Sequence, residues 1–417
     1  MQNLIDFIQL FAVQTTLLND PGNDLSPEMK TYYDMRLLDY AQANLVHDQF
    51  GQKRPIPQGS GKTIEFRMFS PLGKALVPLT EGVTPDGNIL DVKAKTATVS
   101  QYGDYIVQSD ILELTALDNT ILEATKLLGR QAGKTLDTIT RNVLQAGTNV
   151  MYAPRWSGTT EYEVTTRGAL DTTAVLTVDL VEQVVANLRA MDTPTIDGYY
   201  IAIIHPYAAY DLMRDPDWRK PHEYVDSDNL YRGEIGQIGG VRFVQSTEAK
   251  VVRGADLASN SRTLTVNHGG GYSGAITSIT FDGGTVAEDA LINRYINING
   301  VTAKITDNTA STLTFASTNF GTINDDAYIY PGEGGKEGTS VFCSLFFGEG
   351  AYGVTEVEGG GLQTIVKQKG SAGTADPLDQ RSSVGWKAIK TAEILLPEYL
   401  IRVEHESKRY STTAKEN

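Results

Sequence analysis

Residues 119–147, NTILEATKLLGRQAGKTLDTITRNVLQAG, form the longest helical pattern in the chain. Thr120 and Glu123 have the Thr-x-x-Glu spacing of a capping box, which satisfies two amide donors left open by the first turn. Ile121, Ala124, Leu128, Ala132, Leu136, Ile139, Val143 and Ala146 recur at steps of three and four, one apolar stripe on a helical period. Gly147 supplies a C-terminal stop. At about 1.5 Å per residue such a helix is roughly 40 Å long. A single-faced helix of that length needs an equally long surface to cover it.

The whole chain can provide one. It has 417 residues, of which 41% are hydrophobic, enough for two or three domains or one elaborate domain. Its formal charge of −15 argues against tight phosphate-backbone binding, which needs clustered Lys and Arg. The one cysteine, Cys343, excludes an intrachain disulfide framework and a cysteine-based zinc site, and lies in the apolar run VFCSLFF as a buried small hydrophobe. No apolar run reaches the ~18 residues of a membrane helix. The N-terminus lacks a basic region before its apolar residues and carries Asp6, so it reads poorly as a signal peptide. The expectation is a protein made and used in a cytoplasm, or released by lysis.

Upstream of the long helix, residues 1–25 read as an arm, and 26–50 as a helix with Leu38, Ala41 and Leu45 on one face. His47, near its end, reads as solvated or facing the helix dipole. Ile64 to Phe69 alternate as a strand, and a second extended run covers Leu90 to Val107. Together they predict a long hairpin with a Pro- and Gly-rich tip. An isolated hairpin is marginal in water, so this one is expected to lie on another subunit.

Downstream, Thr177 opens a helix through VDLVEQVVANLRAM, and Tyr199–Ile204 is a continuous apolar run, a buried strand. A short helix from Pro206 and a strand at Val241–Gln245 complete an α/β unit. Residues 255–335 change to short alternating runs punctuated by Gly, Asn and Asp, a small all-β insert. Strand character returns at 340–346, residues 347–383 read as irregular, and two strands separated near Pro397 close the fold. The polar residues 405–417 read as a flexible tail.

Chemistry-bearing motifs fail on inspection. Gly61-Lys62-Thr63 ends like a phosphate-binding loop, but Ile56 stands where its first glycine belongs and a strand follows instead of a helix. Asp226 and Asp228 open like a calcium loop whose next ligand position is Leu230. Gly271-Tyr272-Ser273-Gly274 lies in a glycine-rich loop, not in the strand-to-helix elbow a nucleophilic serine requires. The five histidines have no zinc-helix spacing. No catalytic residue, metal or cofactor is expected.

The order of elements resembles the major capsid proteins of tailed bacteriophages with the Hong Kong 97-type fold, nearest the schitovirus branch of podophages. The resemblance rests on TYYDMRLLDYAQANLVHDQFG, GKTIEFRMFSPL returning through VSQYGDYIVQSDILELT, the long helix, YYIAIIHPYAAYDLMRDPDW, LYRGEIGQIGGVRFVQST and SSVGWKAIKTAEIL. It covers most of the chain except 255–335 and the tail. It implies an α+β fold with an N-terminal arm and helix (1–50) and an extended loop (51–110). A peripheral domain follows (111–175), with 119–147 as its spine helix. The axial domain comes in two parts (176–254 and 336–404) around the inserted β domain (255–335), and 405–417 is the tail. It implies a subunit that self-assembles into pentamers and hexamers of an icosahedral head enclosing double-stranded DNA. Assembly would be in the host cytoplasm, with portal, scaffold and decoration proteins as partners, packaged DNA touched only non-specifically, and no membrane. On this reading Phe66, Met68, Phe69, Leu76, Val77, Leu79, Val92, Lys93 and Lys95 form the inter-subunit surface of the extended loop, and Ile121, Leu128, Leu136, Ile139 and Val143 the core of the spine. Some relatives cross-link subunits through a Lys and an Asn, and neither position can be matched here. The rivals are an encapsulin-like compartment shell and a secreted glycan-binding or hydrolytic protein using 255–335.

Overall fold

The computed structural model describes residues 45–56, 61–69, 72, 74–76, 78, 81, 82, 84, 87–115, 120–218, 236–356, 361–367, 377, 378 and 380–417. The N-terminal arm, most of the first expected helix, Val77, Leu79 and the Asp226 motif lie outside them.

The long helix spans Thr120–Gln145. Its buried apolar positions are Ala124, Leu128, Ala132, Leu136 and Leu144. Each step of four residues advances about 40° around a 3.6-residue helix, so the buried face winds about the axis. The first part lies on a five-stranded sheet, where Leu128, Ala132 and Leu136 pack with Val384, Trp386 and Ala388, flanked by Ile121 and Ile139. The last turn reaches a second sheet, where Leu144 packs with Ile201, Ile203, Leu345, Phe347 and Leu400. The straight stripe read from the sequence therefore departs from the structure at its end. Val143 is only half-buried and Ala146 is exposed, because the second sheet meets the helix on a rotated face.

The five-stranded sheet is organised by the 14-residue strand Arg381–Ile394. One side of that strand pairs with Gln363–Lys367 and Tyr352–Glu356 in succession. The other side pairs along its length with Ser100–Ser109, and Gln52–Lys53 adds parallel to Tyr352–Glu356. Two of these strands, Tyr352–Glu356 and Gln363–Lys367, lie in 347–383, a stretch whose glycine-rich sequence reads as irregular. The expected long hairpin is also corrected. The run Leu90–Val107 divides at the buried Val99. Only Val92–Thr98 pairs with Thr63–Phe69, and the next strand joins the sheet. There Gly103 approaches Trp386 so closely that a Cβ would lie 2.6 Å from its carbonyl oxygen, and only glycine leaves that space.

The seven-stranded sheet has the order Val150–Tyr152, Leu400–His405, Val341–Phe347, Tyr200–Ile204, Val241–Gln245, Gln237–Ile238, with Val251–Val252 also on Val341–Phe347. Tyr200–Ile204 is buried on both faces. Ala202 and Ile204 face the helices Val178–Ala190 and Pro206–Leu212, while Ile201 and Ile203 face the end of the long helix. Both short helices are capped by side chains. Thr177 Oγ1 accepts from the Leu180 amide at 3.3 Å, and His205 Nδ1 accepts from the Tyr207 amide at 3.2 Å.

Residues 264–331 close into a six-stranded barrel around Leu264, Val266, Ile279, Phe281, Ile296, Ile305, Leu313 and Phe315. Closure leaves it no free strand edge. It is joined to the rest through Asn297, which is fully buried and donates to the carbonyls of Gly168 at 2.8 Å and Gly335 at 3.2 Å.

The flexible tail is overturned. His405, Glu406, Ser407, Ser411 and Ala414 are buried. The Tyr410 ring stacks on Tyr207 at 4.0 Å. The Asn417 side chain accepts from the Val251 amide and donates to the Ala249 carbonyl, each at 2.9 Å. The segment's polarity, read as a sign of solvation, is spent on internal hydrogen bonds.

Candidate assembly surface

The interior holds polar groups that tie elements together. Asp137 on the long helix is buried and accepts from the amides of Val46 at 2.8 Å and His47 at 2.7 Å, and from His47 Nδ1 at 2.7 Å. His47 is thus fully buried, which corrects its solvated reading. One residue on, Asp48 accepts from Thr140 Oγ1 at 2.6 Å and from Lys390 Nζ, which also donates to the Leu136 carbonyl at 3.1 Å. These bonds clamp residues 46–48 between helix and sheet.

At the other helix end, Arg402 donates to the carbonyls of Gln145 and Gly147, which the helix leaves unpaired. Arg402 Nε lies 2.9 Å from Glu404. Arg167 meets the same carboxylate in a two-pronged contact, 2.7 and 2.5 Å. Glu404 is completely buried.

None of this assembles a reaction centre. Ser344 Oγ is 2.9 Å from His405 Nε2, but both side chains are sealed inside the seven-stranded sheet. Burial pushes the His405 pKa down to about 4 and the Cys343 thiol up to about 12. Among the described residues no three His, Cys, Asp or Glu side chains are grouped as a metal ion would require. No described helix is long and apolar enough to cross a membrane.

The surface is more informative. Leu76 and Ile89, between the hairpin strands, are 80% and 89% exposed, and Leu72, Leu90 and Val92 are exposed beside them. Lys95 is half exposed and lies 3.9 Å from Glu393 of its own chain. The backbones of Met68, Phe69, Val92 and Lys93 pair across the ladder. Phe66 corrects the expected interface. It is 1% exposed and packs with Ala97 and Leu395, its ring so near Gly353 that a Cβ there would lie 2.6 Å away. Strand alternation puts Ile64, Phe66 and Ala97 on one face, and that face anchors the hairpin to its own subunit.

A second exposed apolar region was missed by sequence reasoning: Tyr105 and Val107 on Ser100–Ser109, Ile111 and Leu112 on the helix Asp110–Thr115, and Leu127. Its signal was the uninterrupted Tyr105-Ile106-Val107, apolar on both faces of a strand that can bury only one. Ser100–Ser109 pairs through one of its backbone edges, with Arg381–Ile394.

Comparison with known proteins places this architecture. Residues 28–278, more than half the chain, match a family model described as phage capsid protein. The solved capsid of the cyanophage P-SCSP1u aligns at 12% identity and a TM-score of 0.50, covering 87% of this chain and 86% of that one. The capsid asymmetric unit of cyanophage Pam1 aligns at 13% identity and 0.51, covering 84% and 87%. The capsid of Ralstonia phage GP4 aligns at 12% identity and 0.51, covering 86% and 87%. At such identities the structural likeness is one of fold. No curated protein sequence matches the chain.

Proposed function

The chain belongs to the phage capsid protein family, and from that premise we propose how its parts build a shell. It is a major capsid protein, a structural subunit of an icosahedral bacteriophage capsid. The family match favours neither the compartment shell nor the secreted glycan-binding protein. In our reading the fold is of the Hong Kong 97 type, in the schitovirus branch. The helix Thr120–Gln145 is the spine of a peripheral domain built on the five-stranded sheet. The seven-stranded sheet with its two short helices is the axial domain. The hairpin built on Thr63–Phe69 and Val92–Thr98 is the extended loop, and the barrel is an added surface domain. Subunits assemble in the host cytoplasm into pentamers and hexamers around double-stranded DNA, alongside portal, scaffold and decoration proteins. A net charge of −15 suits a wall that does not grip the DNA it holds.

One observation carries this reading: the hairpin is anchored at Phe66 yet presents Leu72, Leu76, Ile89 and Leu90 to solvent. Apolar side chains left exposed between the strands of an anchored hairpin mark a contact surface. The region around Tyr105, Val107 and Ile111 of a neighbouring copy matches it in kind. Many weak contacts of this type close into rings and shells by symmetry.

The double variant Leu76→Glu, Ile89→Glu tests it. Both residues are exposed, so unfolding should be unchanged to within about 0.5 kcal/mol. Sedimentation should then show folded subunits that form no shells. Shells in normal yield would remove the hairpin from the assembly contact.

A further inference from the structure

The segment that returns from the barrel to the seven-stranded sheet, residues 332–340, passes over a single carboxyl group. Glu406 follows the strand Leu400–His405 and is completely buried. Its amide donates to the Ala174 carbonyl at 2.7 Å. Its Oε1 accepts from the Thr339 hydroxyl at 2.5 Å, and lies so close to Gly335 that a Cβ there would collide with it. Its Oε2 is buried without a hydrogen-bond partner.

The elements packed around this carboxyl bring hydroxyls and acids to it. They are Thr339 and Glu337 from the return segment, Ser411 from the C-terminal segment, and Asp171 from the stretch before the helix Val178–Ala190. The nearby cations are engaged elsewhere. Arg167 and Arg402 hold Glu404, and the stem of Lys336 runs toward Gly300 of the barrel. The adjacent His405 is buried and bonded to Ser344 and to the Glu406 carbonyl. A buried carboxylate with no cation beside it is costly, and the neutral acid avoids that desolvation cost.

We propose that Glu406 is a pH-sensitive latch: as the neutral acid it holds residues 332–340, and the barrel they carry, onto the seven-stranded sheet, and on ionisation it releases them. Burial, opposed by the Thr339 hydroxyl and helped by Asp171 and Glu337, raises its pKa to about 7, against 4.5 for a free side chain. A raised acid favours the closed form at low pH, and that preference is lost as pH climbs through 7. The latch therefore operates near neutrality and independently of how subunits meet.

Hydrogen exchange of the 332–340 peptide in the full chain, compared with Glu406→Gln, reads it directly. Glutamine keeps the shape and cannot ionise, so the ratio of the two exchange rates cancels both the intrinsic pH dependence of exchange and any contribution from His405. From pH 5.5 to 8.5 that ratio should rise about 30-fold, given a closed pKa of about 7 and an open one of 4.5. Thr339→Val removes a bond that stabilises the ionised form, so its release should move to higher pH. A ratio that stays flat, or a Thr339→Val midpoint that does not rise, overturns the latch.

Discussion

Leu136→Asp should lower stability by about 4 kcal/mol or more, a large share of the 5–15 kcal/mol that typically separates folded from unfolded domains. Leu136 is buried where the long helix meets Val384, Trp386 and Ala388. Removing its branched end costs about 2–5 kcal/mol through lost burial and an unfilled space. The new carboxylate adds a desolvation penalty. Lys390, the nearest cation in hydrogen-bond contact with this position, already serves Asp48 and the Leu136 carbonyl. Leu136→Met conserves volume and should lose less than about 1.5 kcal/mol. Urea unfolding of the three proteins separates these outcomes, and an unchanged midpoint for Leu136→Asp would remove the helix from that sheet.

Glu404→Ala should cost about 3–5 kcal/mol, since one substitution leaves the two guanidinium groups of Arg167 and Arg402 without their shared carboxylate. Burial works against the charge on Arg167, but the Glu404 carboxylate outweighs it and raises the Arg167 pKa. The consequence reaches the long helix, because Arg402 also binds the Gln145 and Gly147 carbonyls. Hydrogen exchange should therefore quicken in the last helical turn as well as around Arg167. Glu404→Gln retains size and one acceptor, so a comparable loss from it assigns the effect to charge. If Glu404→Ala unfolds at the wild-type denaturant concentration, the network contributes nothing to the fold.

What the sequence revealed depended on how local the deciding interaction was. The helix Thr120–Gln145 and the strand Tyr200–Ile204 were legible because their own periodicity encodes them. The partner of Ser100–Ser109 was not, since its local pattern fits the hairpin and the Arg381–Ile394 strand equally well. Phe66 and Leu76 look alike as apolar hairpin residues. They are separated by Leu395 and Gly353, distant in sequence, which exist beside one and not the other. His47 was misread for the same reason, its partner Asp137 lying 90 positions away. Residues 405–417 were misread because polar composition does not say whether hydrogen bonds go to water or to the protein.

The proposed contact surfaces are harder still, since the residues proposed to complete them belong to another copy of the chain. The most direct measurement is therefore electron microscopy of the purified full-length protein as its concentration is raised. A capsid subunit predicts closed shells, or the rings of five and six from which they are built. Monomers alone, under every condition that keeps the protein folded, would contradict it.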